Sequence, residues 1–224
     1  MRAYQLLFAP LAFLVLQAWV FPEGRGAHFI RNFLRGMAMG LAGYALTRLA
    51  APLVPRAYGS FLAVFRLWVE GVLLPFGLAV LARRAFAPWD AVERSSREYR
   101  DLLAYLAGWF GIFGAIEAFS AFGRPALLVD LAEPALRFAL SLGLVWALRE
   151  APSRYGWELV GFLALVLAAS FAAASVLYLF VAGLELPAFI ALAATGGGAG
   201  YLGVRGALEG ARAERGVEPL DASS

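Results

Sequence analysis

Seven stretches of this sequence are each long and apolar enough to cross a lipid bilayer. A membrane-spanning helix needs about 20 mostly apolar residues, because each residue adds about 1.5 Å to its length. Of all residues 62% are hydrophobic and 16% are charged, whereas soluble domains average about 45–50% apolar. We therefore predict an all-α polytopic membrane helix bundle of about seven transmembrane helices, covering approximately residues 4–21, 33–54, 61–82, 102–122, 126–148, 158–182 and 187–207.

The placement of arginine predicts how these helices are oriented. With seven spans, one face of the bundle carries only Arg2, Arg56 and Arg124, and the other carries 12 arginines. Positive residues collect on the cytoplasmic side, so we predict the N-terminus outside and the C-terminus in the cytoplasm of a cell inner (cytoplasmic) membrane. We expect one transmembrane bundle domain over residues 1–210, an uncleaved first helix, and a short polar cytoplasmic tail over residues 211–224.

Several kinds of chemistry are excluded because the residues they need are absent. The chain has no cysteine and no lysine, and its only histidine is His28. Disulfides, iron–sulfur clusters and Schiff-base intermediates are therefore excluded, as is a site with several histidine ligands. We expect no cofactor, no metal and no nucleic-acid partner, and we expect the lipid bilayer to be the main surroundings of the chain.

Seven charged residues lie within the predicted helices, where each costs about 2.5–3.5 kcal/mol to insert. They are Arg48 in the second helix, Arg66 and Glu70 in the third, Glu117 in the fourth, and Asp130, Glu133 and Arg137 in the fifth. Arg66 and Glu70 are four residues apart and can pair, and the three in the fifth helix form one stripe. We predict that all seven line a polar cavity that opens outward. The alternative is a set of ion pairs that only fixes the helix register.

Glycine is concentrated in the last helix, at Gly196, Gly197, Gly198 and Gly200. Each glycine costs about 1 kcal/mol relative to alanine in a helix interior, so this run weakens the helix near mid-membrane. Unwound backbone at that depth must be satisfied by protein or by a water-filled cavity. We expect either a broken helix whose backbone lines a site or very close packing against a neighbouring helix.

Glycines in the second and fourth helices predict close helix packing. The second helix contains Gly36-x-x-x-Gly40, and the fourth contains Gly108. Small residues of this kind let membrane helices approach closely. The second and fifth helices also share a faint likeness that starts at Leu34-Arg35 and at Leu136-Arg137. It indicates either an inverted repeat of three helices or a chance match in Leu/Ala-rich sequence.

Three classes of function stay open at this stage. Our main prediction is a small permease, or a solute- or ion-binding membrane subunit, with arginines that attract an anionic group and a glutamate that carries a proton. The second is a non-catalytic subunit or assembly factor that joins another membrane protein or a second copy of itself. The third is an intramembrane enzyme that uses paired carboxylates, Glu70 with Glu117 or Asp130 with Glu133. No established catalytic motif accompanies them, so a non-enzymatic role is favoured.

Overall fold

The computed structural model describes residues 27–53, 60–86, 96–120, 128–151 and 154–214, together with residues 11, 12 and 15. The predicted first span, residues 4–21, therefore lies almost entirely outside the described residues. The end of the predicted polar tail, residues 215–224, also lies outside them.

Every long element in these ranges is a helix, and none of the described residues forms a strand. The helices are α1 (Ala27–Ala50), α2 (Ser60–Trp68), α3 (Leu74–Phe86), α4 (Ser96–Ser120), α5 (Val129–Glu150), α6 (Gly156–Val181) and α7 (Glu185–Glu214). A π-helical turn, Val69–Leu73, joins α2 to α3, and a short 3-10 turn, Ala51–Leu53, follows α1. The all-α prediction is therefore confirmed for the described part of the chain.

Four helical segments are long and apolar enough to cross a membrane. They are Phe61–Ala85, Arg100–Ser120, Gly156–Val181 and Glu185–Glu209. Among the described residues α1 and α5 are not in this group. Helix α5 carries five charged residues within its 22 residues, Asp130, Glu133, Arg137, Arg149 and Glu150. The four segments support a transmembrane protein.

Helices α1 and α4 pack against each other through glycine. A Cβ atom on Gly36 would overlap the carbonyl oxygen of Tyr105, and one on Gly108 would overlap that of Phe33. Gly40, one turn further along α1, faces Ile112, one to two turns further along α4. The two helices therefore run parallel with their backbones in close contact. This is the packing predicted for these glycines.

Helices α5 and α7 form a second parallel pair. Gly196 lies against Ala139, Gly203 lies against Leu142, and Arg149 donates a hydrogen bond to the carbonyl oxygen of Gly206 at 2.5 Å. A Cβ atom on Gly203 would overlap Leu142, so glycine is again needed for close approach.

The two remaining segments, α2 and α6, pack against each other. The indole Nε1 of Trp68 donates a hydrogen bond to Ser170 Oγ at 2.8 Å, and Phe61 and Trp68 both contact the ring of Phe171. The π-helical turn after Trp68 has a local cause. Pro75 has no N–H to give to the carbonyl of Gly71, and the N–H of Leu74 bonds to Val69 O instead.

Candidate functional site

An ion cluster joins the end of α4 to the first turns of α5. Arg137 Nη1 lies 2.7 Å from Glu117 Oε2, and Arg137 Nη2 lies 3.0 Å from Glu117 Oε1. Arg137 Nη2 also lies 2.5 Å from Glu133 Oε1. One guanidinium is therefore shared by two carboxylates. The planar fork of arginine allows this, because two of its N–H groups can bind a carboxylate side by side.

The cluster is largely buried. The side chain of Arg137 is 9% exposed, and those of Glu117 and Glu133 are 24% and 27% exposed. The Nε atom of Arg137 is fully buried and has no hydrogen-bond partner among the described residues. The guanidinium also lies 5.8 Å from the centroid of the Phe113 ring. The cluster thus contains one buried N–H group with no hydrogen-bond partner among the described residues, beside two carboxylates that are partly accessible to solvent.

Two further charged residues lie close enough to interact with this cluster. Glu133 interacts electrostatically with both Arg48 of α1 and Asp130 of α5. Arg48 is itself held by Tyr44, whose hydroxyl accepts a hydrogen bond from Arg48 Nε at 2.9 Å, and the Tyr44 ring packs edge-on against Phe113. Direct contacts therefore join three of the seven charged residues predicted from the sequence, Glu117, Glu133 and Arg137, and two more act on Glu133 electrostatically.

The other two predicted residues form a separate pair. Arg66 Nε lies 2.7 Å from Glu70 Oε1, and their side chains are 40% and 24% exposed. Both belong to the segment that packs mainly on α6, whereas the cluster joins α4 to α5. The i,i+4 pairing expected from the sequence is present, but it lies apart from the other five residues.

The glycine run in α7 neither breaks the helix nor packs closely against a neighbouring helix. Helix α7 continues from Glu185 to Glu214 through the run, with no break. A Cβ atom on Gly197, Gly198 or Gly200 would meet nothing within 4 Å, and one on Gly196 would make only ordinary contact with Ala139. Close packing occurs instead at Gly203. The helix persists because a broken backbone inside a membrane leaves polar groups unsatisfied, which costs more than the glycines do.

Sequence reasoning missed two residues that shape the site. Tyr44 is the partner of Arg48, and its position four residues earlier on the same helix was the available signal. Phe113 lies against both Tyr44 and Arg137, and its place four residues before Glu117 puts it on the same face of α4.

Comparison of this chain with protein-family models, with curated proteins and with solved structures finds no match. The function is therefore inferred from the geometry of the cluster.

Proposed function

We propose that this chain is a small permease, or the ion-binding membrane subunit of one, and that the cluster around Arg137 binds a proton or a small cation. The charge of the cluster carries this proposal. Two carboxylates, those of Glu117 and Glu133, share the single guanidinium of Arg137. With all three groups ionised, this directly bonded set carries one excess negative charge.

A charged side chain inside a membrane costs about 2.5–3.5 kcal/mol, and a proton or cation bound at the excess carboxylate lowers that cost. The sign of the excess favours a cation over the anionic group that isolated arginines would attract. Glu133 is the best candidate for the exchanging group. It holds Arg137 through one contact, whereas Glu117 holds it through two, so Glu133 is released more easily.

The proposal includes the topology expected from the sequence: seven spans in the cytoplasmic membrane, with the N-terminus outside. The parallel pairs α1/α4 and α5/α7 support it, since parallel helices separated by one intervening span fit a chain that crosses the membrane each time. In this orientation the cluster lies in the outer half of the bilayer, within reach of solvent on that side.

A second candidate is a non-catalytic membrane subunit that assembles with a partner. The two-point contact between Glu117 and Arg137 favours it, because a bidentate pair fixes α4 against α5 whether or not anything binds there. The two candidate functions predict different results for a variant in which Glu133 is replaced and Glu117 is kept.

The experiment compares purified wild type with Glu133→Gln in proteoliposomes. A potassium gradient with valinomycin sets the membrane potential, and a trapped dye reports internal pH. We expect Glu133→Gln to lose most of the proton movement while its thermal unfolding midpoint stays near that of wild type. Glu158→Gln, the same change at an exposed position at the start of α6, should behave as wild type.

Sodium and potassium ions are tested in vesicles prepared without valinomycin. If Glu133→Gln moves protons and both cations as wild type does, the proposal is wrong. If the variant instead lowers the abundance of an assembly isolated from the native membrane, the second candidate is supported.

A further inference from the structure

Two buried donor groups lie at the end of the bundle away from the Arg137 cluster. The Nε atom of Arg83, on α3, and the hydroxyl of Tyr105, on α4, are both buried and have no hydrogen-bond partner among the described residues. Tyr105 is 4% exposed, and Arg83 acts on it electrostatically. Tyr105 lies twelve residues before Glu117 on α4, about 18 Å away along the helix. A buried donor without a partner costs free energy, so both groups need an acceptor.

Contacts between the helices place Arg83 and Tyr105 where three helix ends meet. Gly36, near the start of α1, lies against the carbonyl oxygen of Tyr105, and α1 runs parallel to α4. Phe76 of α3 contacts Phe110 of α4, with 4.5 Å between the ring centroids. Further along α3, Arg83 acts on Tyr105, which comes earlier on α4, so these two helices run in opposite directions. The start of α1, the end of α3 and the start of α4 thus form a junction, which we call the Arg83 junction, over residues 27–38, 79–86 and 96–107.

The Arg83 junction has a large excess of positive charge. It contains two acids, Glu98 and Asp101. Asp101 forms no ion pair with Arg83 in the described part of the chain. Against these two acids the junction contains six arginines, Arg31, Arg35, Arg83, Arg84, Arg97 and Arg100. A ligand that satisfies the buried donors and this charge is an anion with several oxygen acceptors.

The surface beside the junction combines arginine with leucine. On α1 the exposed Arg35 follows Leu34, which is 56% exposed. On α3 the exposed Arg84 lies three residues after Leu81, which is 65% exposed, so the two share a helix face. Exposed apolar side chains with arginines near a helix end are typical of the depth where lipid tails meet headgroups. An anion at this depth is part of a lipid.

We propose that the Arg83 junction binds the phosphate of an anionic phospholipid. The guanidinium of Arg83 and the hydroxyl of Tyr105 donate hydrogen bonds to phosphate oxygens, and the exposed Arg35 and Arg84 add charge attraction at the rim. The acyl chains lie along the exposed leucines. Arginine suits this ligand because its planar N–H groups match the spacing of phosphate oxygens. A zwitterionic lipid binds less well, since its ammonium group is repelled by the arginines.

Basic sites between membrane helices bind anionic headgroups in this way in other proteins, so the chemistry is physically reasonable. The site is separate from the Arg137 cluster, and its test does not depend on the proposed permease function.

Native mass spectrometry of the full chain, purified in an uncharged detergent, tests the proposal. The anionic probe is phosphatidylglycerol, and the zwitterionic probe is phosphatidylethanolamine with the same acyl chains. We expect wild type to bind phosphatidylglycerol about fivefold more tightly or better, as expected when at least one arginine contributes to the discrimination. Thermal unfolding in the same detergent is the second measurement, because a lipid that binds only the folded protein raises its midpoint.

Variants identify the groups that bind the lipid. Arg83→Gln should lower the affinity for phosphatidylglycerol about tenfold or more, since it removes a hydrogen bond from a charged donor. Tyr105→Phe removes only the hydroxyl and should lower the affinity about threefold to tenfold. Arg205→Gln and Tyr201→Phe are the matched controls, since both residues are exposed on α7 outside the junction, and both variants should bind as wild type does.

Arg83→Lys is the second variant at this position. It keeps the charge but loses the planar fork, so its affinity should fall between those of wild type and Arg83→Gln. Together with Tyr105→Phe it tests the site even where Arg83→Gln does not fold.

Equal affinity of wild type for the two lipids overturns the proposal. Wild-type affinity in both Tyr105→Phe and Arg83→Lys overturns it as well, because the arginines then attract lipid only as a diffuse surface charge. If inorganic phosphate alone raises the unfolding midpoint as much as phosphatidylglycerol does, the junction binds a soluble anion and the assignment to a lipid is wrong.

Discussion

Arg137 of α5 binds both carboxylate oxygens of Glu117 of α4, at 2.7 Å through Nη1 and 3.0 Å through Nη2. The same guanidinium holds Glu133 one turn earlier on its own helix. A side chain that is 9% exposed thus links two helices and shares its charge between two acids.

Replacing Glu117 or Arg137 conservatively should destabilise the protein. Glu117→Gln weakens the two-point contact, and Arg137→Lys cannot bind two carboxylates through a planar fork. We expect each change to lower the free energy of unfolding by about 1–3 kcal/mol, because the groups are largely buried but retain other partners. Unfolding in detergent micelles measures this.

The matched control is Arg205→Lys. Arg205 pairs with Glu209 at the same 2.7 Å distance, but the two side chains are 62% and 45% exposed. An exposed pair of this kind is screened by solvent and contributes little to stability, so the change should have little effect. Equal effects of Arg137→Lys and Arg205→Lys would contradict the structural importance of the cluster.

Gly36→Ala should separate α1 from α4. The added methyl group would overlap the carbonyl oxygen of Tyr105, which is backbone and cannot rotate away. We expect a loss of about 1–3 kcal/mol of stability, as for other overpacking changes. The measurement is again unfolding in detergent micelles.

Gly198→Ala is the control for this change, because a Cβ atom there would meet nothing within 4 Å. Alanine favours the helix by about 1 kcal/mol over glycine, so this variant should be neutral or more stable. A stable Gly36→Ala protein would show that the two backbones are not in close contact.

Pro75→Ala should remove the π-helical turn between α2 and α3. Alanine supplies an N–H for the carbonyl of Gly71, so a regular α-helical turn becomes available at Val69–Leu73. An α-helical turn holds about one residue fewer than a π-helical turn, so its formation rotates α2 by about 100° relative to α3. This rotation breaks the hydrogen bond from Trp68 to Ser170. The indole N–H signal of Trp68 in NMR spectra, assigned with Trp68→Phe, should shift strongly. An unmoved signal would mean that the turn has another cause.

The orientation of the bundle can be tested with single cysteines in this cysteine-free chain. We expect a thiol at Ser224→Cys to react with an impermeant maleimide only after cells are permeabilised. A thiol at Arg124→Cys, in the predicted outer loop, should react in intact cells. The reverse pattern would invert the topology, and it would place the Arg137 cluster in the inner half of the membrane.

Part of the site followed from the sequence because it depends on helix periodicity alone. Arg66 and Glu70 are four residues apart, as are Glu133 and Arg137, and both pairs are formed. Gly36 and Gly40 share a helix face for the same reason. In lipid a helix satisfies its own backbone, so apolar length fixes where helices form whatever surrounds them. This is also why the glycine run in α7 does not interrupt the helix.

The partners across helices were decided by the tertiary structure. Nothing in the spacing of Glu117 and Arg137 shows that they meet, or that Arg66 and Glu70 lie apart from them. Such pairing depends on how side chains of distant segments fit together, and lipid gives no general preference for one helix partner over another. The sequence by itself determined an apolar helical chain with buried charges. Only the packing of α1 on α4 and of α5 on α7 determined which charges share a site, because close approach at a few glycines sets which helix faces meet.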